Sequence, residues 1–340
     1  MLGSGRPGGV DVSFFGLARQ TFRDFEVVFV DSRYHTRHAR VLDAWERAND
    51  EAGTRVPAPL FHVPNHRNQA PPWGTTCAGY NTSSMLADGE LVVFLLDFGF
   101  APSDWLQRHV DAHEGKRRLV LAPHVYYDMP PVVTLDGGPP IDEAAWSGKT
   151  PEQLYAERAR YDEISIFPEP GFRPEILGPP VGGDPKIVMP EGPCLPDFFH
   201  TKNESFPLDA ILDVNGMDEH FDRMRGPGDP ELAYRLVRAG LEPWLVHAPV
   251  LCPNPRAMLP NPNSASHYDR PTPGHEWRLD YLAGERYFRQ SVEEGRTRAL
   301  NPYDLRERRE KIWHWRALSQ ERAAVIPDIV VPDSDYFGAA

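Results

Sequence analysis

The chain has 340 residues, 36 basic against 49 acidic, for a formal net charge of −13. That balance excludes sequence-independent nucleic-acid binding, because the surface repels phosphates. A membrane span is excluded too: the densest apolar run, LVVFLL at 91–96, falls far short of the roughly 20 residues needed.

Apolar residues make up 41% and charged residues 25%, the mix of a folded globular chain. The N-terminus, MLGSGRPGG, carries no apolar signal-peptide core. Cys77, Cys194 and Cys252 are odd in number and widely spaced, which argues against a disulfide framework or a zinc site. They fit a reducing, cytoplasmic compartment. The 36 prolines concentrate at 123–196 and 249–273, which therefore read as irregular loops.

In chain order, Val10 to Thr21 sets Phe14, Leu17 and Ala18 on one helical face. EVVFVD (26–31) is a nearly continuous apolar run closed by an acid, the pattern of a strand buried on both faces. Residues 36–51 read as helix, 60–63 as a weak strand, and 82–87 as a helix end before the Asp88-Gly89 turn. LVVFLL is the strongest strand, closed by Asp97; a helix at 103–113 and a strand at 118–122 follow. Strand–helix alternation predicts a parallel, doubly wound sheet, with ligands beyond the carboxyl ends of its strands. Asp31 and Asp97 sit at such ends.

The stretch 124–200 carries one helix, at 151–162, begun by Thr150 and Pro151. Beyond it come a helix through Ile211, the turn NGMDEHFD (215–222), a helix from Pro230 to Ala239 closed by Gly240, and a strand from Pro243 to His247. A Pro- and Asn-rich loop at 249–275 precedes two charged amphipathic helices, at 276–294 and 303–323.

FEVVFVDSRY (25–34), AGYNTSSMLADGE (78–90), LVVFLLDFGFAPSDWL (91–106), NGMDEHFD and GPGDPELAYRLVRAG (226–240) occur in the order found in family 2 glycosyltransferases. The chain resembles these nucleotide-sugar-dependent enzymes of the GT-A fold. The resemblance implies an α/β, Rossmann-like, doubly wound mixed sheet with Pro-rich loop insertions and a C-terminal helical extension. It divides the chain into a nucleotide-sugar half (1–123), a Pro-rich insertion with acceptor-side loops (124–204), a catalytic half (205–255), and a lid loop with C-terminal helices (256–340).

Such an enzyme displaces a nucleoside diphosphate from the anomeric carbon of a sugar. A carboxylate must take the proton of the attacking hydroxyl, and a cation must meet the leaving charge. By resemblance, Asp229 is the general base of an inverting reaction, and Asp31, Asn81 and Asp97 lie on the donor side. Lys202 and Asn203, in HTKNESFPL (200–208), lie on the sugar and acceptor side. HTKNESFPL also reads as a capped helix start at Ser205 with Pro207 in its first turn. Asp218 and Glu219 read as structural acids of a turn that positions the Asp229 segment. Asp229 itself reads as the N-cap of a helix with Pro230 at its first position.

Three departures from the family pattern stand out. Gly99 replaces the second acid of the Asp-X-Asp metal motif, Gly228 replaces the Glu before Asp229, and the first strand is shortened or absent. A manganese or magnesium ion could be held by Asp97 with water, or by Asp97 with His247 or His267; alternatively Lys202, Arg225 or Arg256 replaces it. The acceptor is open: a protein, glycan, lipid head group or small molecule. The departures also support a rival reading, a non-catalytic nucleotide-sugar or glycan binder of the same fold. A dehydrogenase or nucleotidyltransferase is disfavoured, because no Gly-X-Gly-X-X-Gly follows a first strand and no phosphate loop ends in Lys.

Overall fold

The computed structural model describes residues 2–3, 10–32, 34–67, 76–96, 99–122, 124–127, 191–196, 199, 201–224, 227–248, 250–253, 276–327, 329 and 335. The helix expected at 151–162 and most of the 249–275 loop lie outside the described residues.

Strands β1 (Leu2–Gly3), β2 (Val27–Asp31) and β3 (Leu60–Val63) form a parallel sheet in that order. The first strand is thus present but only two residues long. A second sheet takes β4 (Leu91–Leu95), β5 (Arg118–Leu121), β7 (Gly192–Pro193), β8 (Asn203–Pro207) and β9 (Glu242–Leu245) in the order β4-β8-β5-β9-β7. Between them in sequence, β6 (His124–Tyr127) pairs in parallel with β10 (Val250–Pro253). Both lie in stretches whose prolines predict loops. Pairing between two short segments far apart in sequence leaves no local pattern to read.

Before the second sheet stand α1 (Val10–Ala18), α2 (Tyr34–Glu51) and α3 (Thr76–Leu86). They are followed by α4 (Trp105–His113), α5 (Leu208–Asp213), a 3-10 turn (Glu219–Arg223) and α6 (Gly228–Arg238). The helix expected at 276–294 is α7 (Glu276–Glu293). The one expected at 303–323 is broken into α8 (Leu305–Ile312) and α9 (Trp315–Leu318).

Alternate residues of β2 feed two different apolar clusters. Val27 and Phe29 pack with Phe14, Trp45 and Trp105; Val28 and Val30 pack with Phe94, Phe206, Leu232 and Trp315. In β5, Val120 joins the first cluster and Leu119 and Leu121 the second. Helices therefore cover these strands on both faces, as their unbroken apolar runs predict.

One correction concerns Asn203–Pro207. It is no helix start but a strand, antiparallel to both β4 and β5. Its polar residues are buried, so no alternation of apolar and polar residues marks it. Its position fixes the geometry of the site: because β5 and β9 run parallel, the carboxyl ends of β4, β5 and β9 meet the amino end of β8 at one edge.

Candidate active site

Asp229 stands at that edge. Its helix, α6, starts two residues earlier than expected, so Pro227 takes the cap position and Asp229 lies in the first turn. There the helix dipole favours an anion. The carboxylate is half-buried, and its Oδ1 accepts a 2.9 Å hydrogen bond from Thr201 Oγ1. Thr201 is two residues before Asn203, and Asn203 pairs with Leu95, the last residue of β4. The backbone therefore brings Asp229 to the edge where β4 runs out. Asp97 and Phe98, just beyond β4, lie outside the described residues.

The segment carrying Thr201 is tied down at each residue. Tyr80 donates its hydroxyl to the Thr201 carbonyl. The carboxylate of Glu204 accepts from the backbone N–H of Lys202 at 2.8 Å and of Asn203 at 2.9 Å. Asn203 is fully buried; its amide donates to the Ala248 carbonyl, and its Oδ1 accepts from Trp105 Nε1 at 2.7 Å. His109 Nε2 lies 3.1 Å from the same Oδ1, and Ser205 Oγ lies 2.8 Å from both His109 Nδ1 and His113 Nε2. Lys202 itself is half-buried. Buried polar groups need such partners, and here nearly all of them come from other elements.

A second network holds the 215–222 turn against α3. Asn81, fully buried, receives the Met217 N–H at 2.7 Å and donates to the Met217 carbonyl and to Glu219 Oε1 at 2.8 Å. Gly216 beside it has φ +72, and a Cβ there would strike the Asn81 side chain. Glu219 also accepts from Tyr303, lies 3.3 Å from His66 Nε2, and faces Arg67 at 3.4 Å. Asp222 caps α3 from a distance, accepting from the N–H groups of Cys77 at 2.7 Å and Ala78 at 3.1 Å. Burial, with the charge of Glu219 next, pushes the Asp222 carboxyl up to about 7 against these two bonds. Asp218 caps the 3-10 turn through the His220 N–H and accepts from Tyr287. Asn81 and Asn203 are both fully buried within these two networks.

Asp31, at the end of β2, is enclosed. Arg37 grips it with two bonds, at 2.6 and 2.8 Å, and His62 Nε2 adds a third at 2.9 Å. Burial alone would raise its carboxyl, but the His62 and Arg37 hydrogen bonds and the Arg37 charge hold it well below the usual carboxylate range. Behind it, His62 Nδ1 lies 2.8 Å from His38 Nδ1, and His38 Nε2 reaches the Glu321 carbonyl.

Of the three departures from the family pattern, the one at Gly99 has a steric basis. A Cβ on Gly99 would lie 2.7 Å from Leu95 Cδ1 and 2.9 Å from Val250 Cγ1, so position 99 faces core. A Cβ on Gly228 would meet Phe221 Cβ at 3.3 Å and Cys77 Sγ at 3.4 Å. No group of three or more His, Cys, Asp or Glu able to hold a metal ion occurs among the described residues. His247 is fixed through its backbone, its carbonyl taken by Arg108 and its N–H by Glu191, and His267 lies outside the described residues. The described residues do not fit the second-acid metal site of the motif.

Thr201, Tyr80, Arg67, Asp222 and Tyr303 carry no site signal in the sequence. Thr201 and Asp222 lie inside the quoted segments HTKNESFPL and NGMDEHFD, where burial of an uncharged hydroxyl and of a remote cap has no local signature. Arg67 and Tyr303 come from outside every quoted segment.

No protein-family model matches the chain, and no curated protein matches it. Among solved structures, it is similar to S. aureus TarS 1-349 at 12% identity and a TM-score of 0.43, covering 75% of this chain and 60% of that one. The same TarS fragment in complex with UDP-GlcNAc gives 12% identity and a TM-score of 0.43, covering 92% and 68%. The mannosyltransferase PcManGT from Pyrobaculum calidifontis, in complex with GDP-Man and Mn2+, gives 16% identity and a TM-score of 0.43, covering 91% and 69%. These likenesses are loose, and the functional reading rests on this chain's own residues. No helix among the described residues is long and apolar enough to cross a membrane.

Proposed function

We propose that the chain is a glycosyltransferase of the family 2, GT-A type that moves a sugar from a nucleotide-activated donor to an acceptor hydroxyl with inversion. The observation that carries this reading is the Asp229 carboxylate, half-buried in the first turn of α6 and bonded to Thr201 at the edge where β4 ends. In the reaction, Asp229 takes the proton of the acceptor hydroxyl as its oxygen attacks the anomeric carbon. The bond from that carbon to the diphosphate breaks, and its electron pair leaves on the nucleoside diphosphate. Asp31, Arg37 and the 97 position form the donor side. Lys202, next to Thr201, is assigned to the charge of the leaving diphosphate. Position 99 is packed into core, so a divalent cation on this side would rest on Asp97 and the diphosphate oxygens alone. The buried free Cys77 and half-buried free Cys194 support a reducing, cytoplasmic setting.

The test is Asp229→Asn. Asn can still accept from Thr201, so the variant should fold and melt like the parent. Loss of a general base costs on the order of 10²–10⁴ in rate. The donor is first found by thermal-shift screening against UDP- and GDP-sugars, since a ligand of the native state raises Tm. A folded Asp229→Asn chain with undiminished turnover would remove Asp229 from the chemistry. A parent that binds a nucleotide sugar and never turns it over would favour the non-catalytic binder.

A further inference from the structure

The rate of proton transfer depends on how firmly the base is held and on its being ionised. Asp229 lies in the first turn of its helix, but its Oδ1 accepts from outside that helix, from the Thr201 hydroxyl at 2.9 Å. That hydroxyl sits on an unusually fixed backbone. Thr201 is 4% exposed, and its carbonyl takes the Tyr80 hydroxyl from α3. Tyr80 is itself 1% exposed, its ring packed on Phe94 of β4 with centroids 4.3 Å apart. The next two N–H groups, of Lys202 and Asn203, are gathered by one buried carboxylate, Glu204. A β-branched side chain on such a backbone has few rotamers left.

We infer that Thr201 is a positioning residue for Asp229, aiming its carboxylate and keeping it ionised, with Tyr80 bracing Thr201 through its carbonyl; this rests on Asp229 being the base. Thr201 needs no contact with substrate for this. A hydrogen bond given to a carboxylate stabilises its charged form, so removing the bond should raise the pH at which Asp229 protonates.

Carbonyl-carbon NMR of aspartate side chains in the full chain reads the first effect without any substrate, with the Asp229 signal assigned by its loss in Asp229→Asn. Thr201→Ala should move the Asp229 titration upward by about one pH unit, and Thr201→Ser should return it. In turnover, Thr201→Ala should lower kcat roughly tenfold or more and shift the acid limb of the pH profile upward, with KM for the donor little changed. Tyr80→Phe, which removes one hydroxyl, should move both readouts the same way by less. A purely structural role would lower Tm and leave the Asp229 titration in place. An unshifted titration in a folded Thr201→Ala chain overturns the inference. So does wild-type kcat in that variant while Asp229→Asn is inactive. If Asp229→Asn itself keeps full turnover, the base reading falls first and the inference falls with it.

Discussion

At the scale of single residues, Gly99 shows how a missing acid is a packing fact. A Cβ there would crowd Leu95 Cδ1 and Val250 Cγ1, so these side chains must shift to admit it. Gly99→Asp is therefore expected to lower Tm, since overpacking a core typically costs ~1–3 kcal/mol and an unpaired buried carboxylate adds to that. Manganese should give the variant no extra stabilisation. Thermal melts with and without manganese check this; a variant as stable as the parent, with a manganese-dependent rise in Tm, would show that position 99 opens onto the donor after all. Asp229 behaves differently. As an acid before a helix its type was legible in GPGDPELAYRLVRAG, but its hydrogen-bond partner was not, because Thr201 lies 28 residues away in sequence.

At the scale of elements, β8 and α4 carry a buried polar line whose protonation sets a pH dependence. Burial pushes His109 down to about 3 and His113 down to about 4, and does the same to His62 on β3, to about 4. Unfolded histidines titrate near 6.5, so below that pH the unfolded chain binds more protons than the folded one. Stability is then fully present above about 6.5 and falls as pH drops toward 4. Asp222 works in the opposite sense: its raised value of about 7 makes the folded chain hold a proton that the unfolded one releases between about 4 and 7. Three histidines outweigh one carboxyl, and Tm is expected to fall between pH 7.5 and pH 5. Melting curves across that range decide the point; a Tm that is flat or rises on acidification would mean these imidazoles are not held neutral. The same two elements explain why no sequence pattern marks β8. Asn203, Glu204 and Ser205 look like surface residues in a list of letters, and only their partners on α4 and at Ala248 make a central strand of them affordable in energy.

At the scale of the molecule, the chain after α7 is part of the core rather than an appendage. Leu305, Ile312, Trp315 and Ile326 are fully buried in the cluster that also holds Val30, Phe94 and Leu232. Arg316 reaches Glu26 at 2.6 Å, Gln320 the Leu60 carbonyl, and Tyr303 the Glu219 carboxylate beside the 215–222 turn. Asn215 and Asn301 close the same joint, with the Leu305 N–H donating to Asn215 Oδ1 at 2.8 Å. Ending the chain after Thr297 should expose this cluster and loosen the turn that precedes Asp229. The expected result is loss of the cooperative melt or of soluble protein; a truncated chain that melts cooperatively near the parent's Tm would contradict it.

The amino-acid sequence alone was enough to set the strands whose apolar runs are unbroken, the acid that closes β2, and the alternation of β2, α2, β3 and β4, because burial on both faces writes itself into consecutive residues. It also marked Asp229 and the NGMDEHFD turn by type. The tertiary structure alone decided that Asn203–Pro207 is a strand, that Thr201 holds Asp229, that Asp31 is enclosed by Arg37 and His62, and that position 99 is crowded by Leu95 and Val250. Those outcomes depend on hydrogen bonds and contacts between residues far apart in the chain, and desolvated polar groups are stable only where such partners converge.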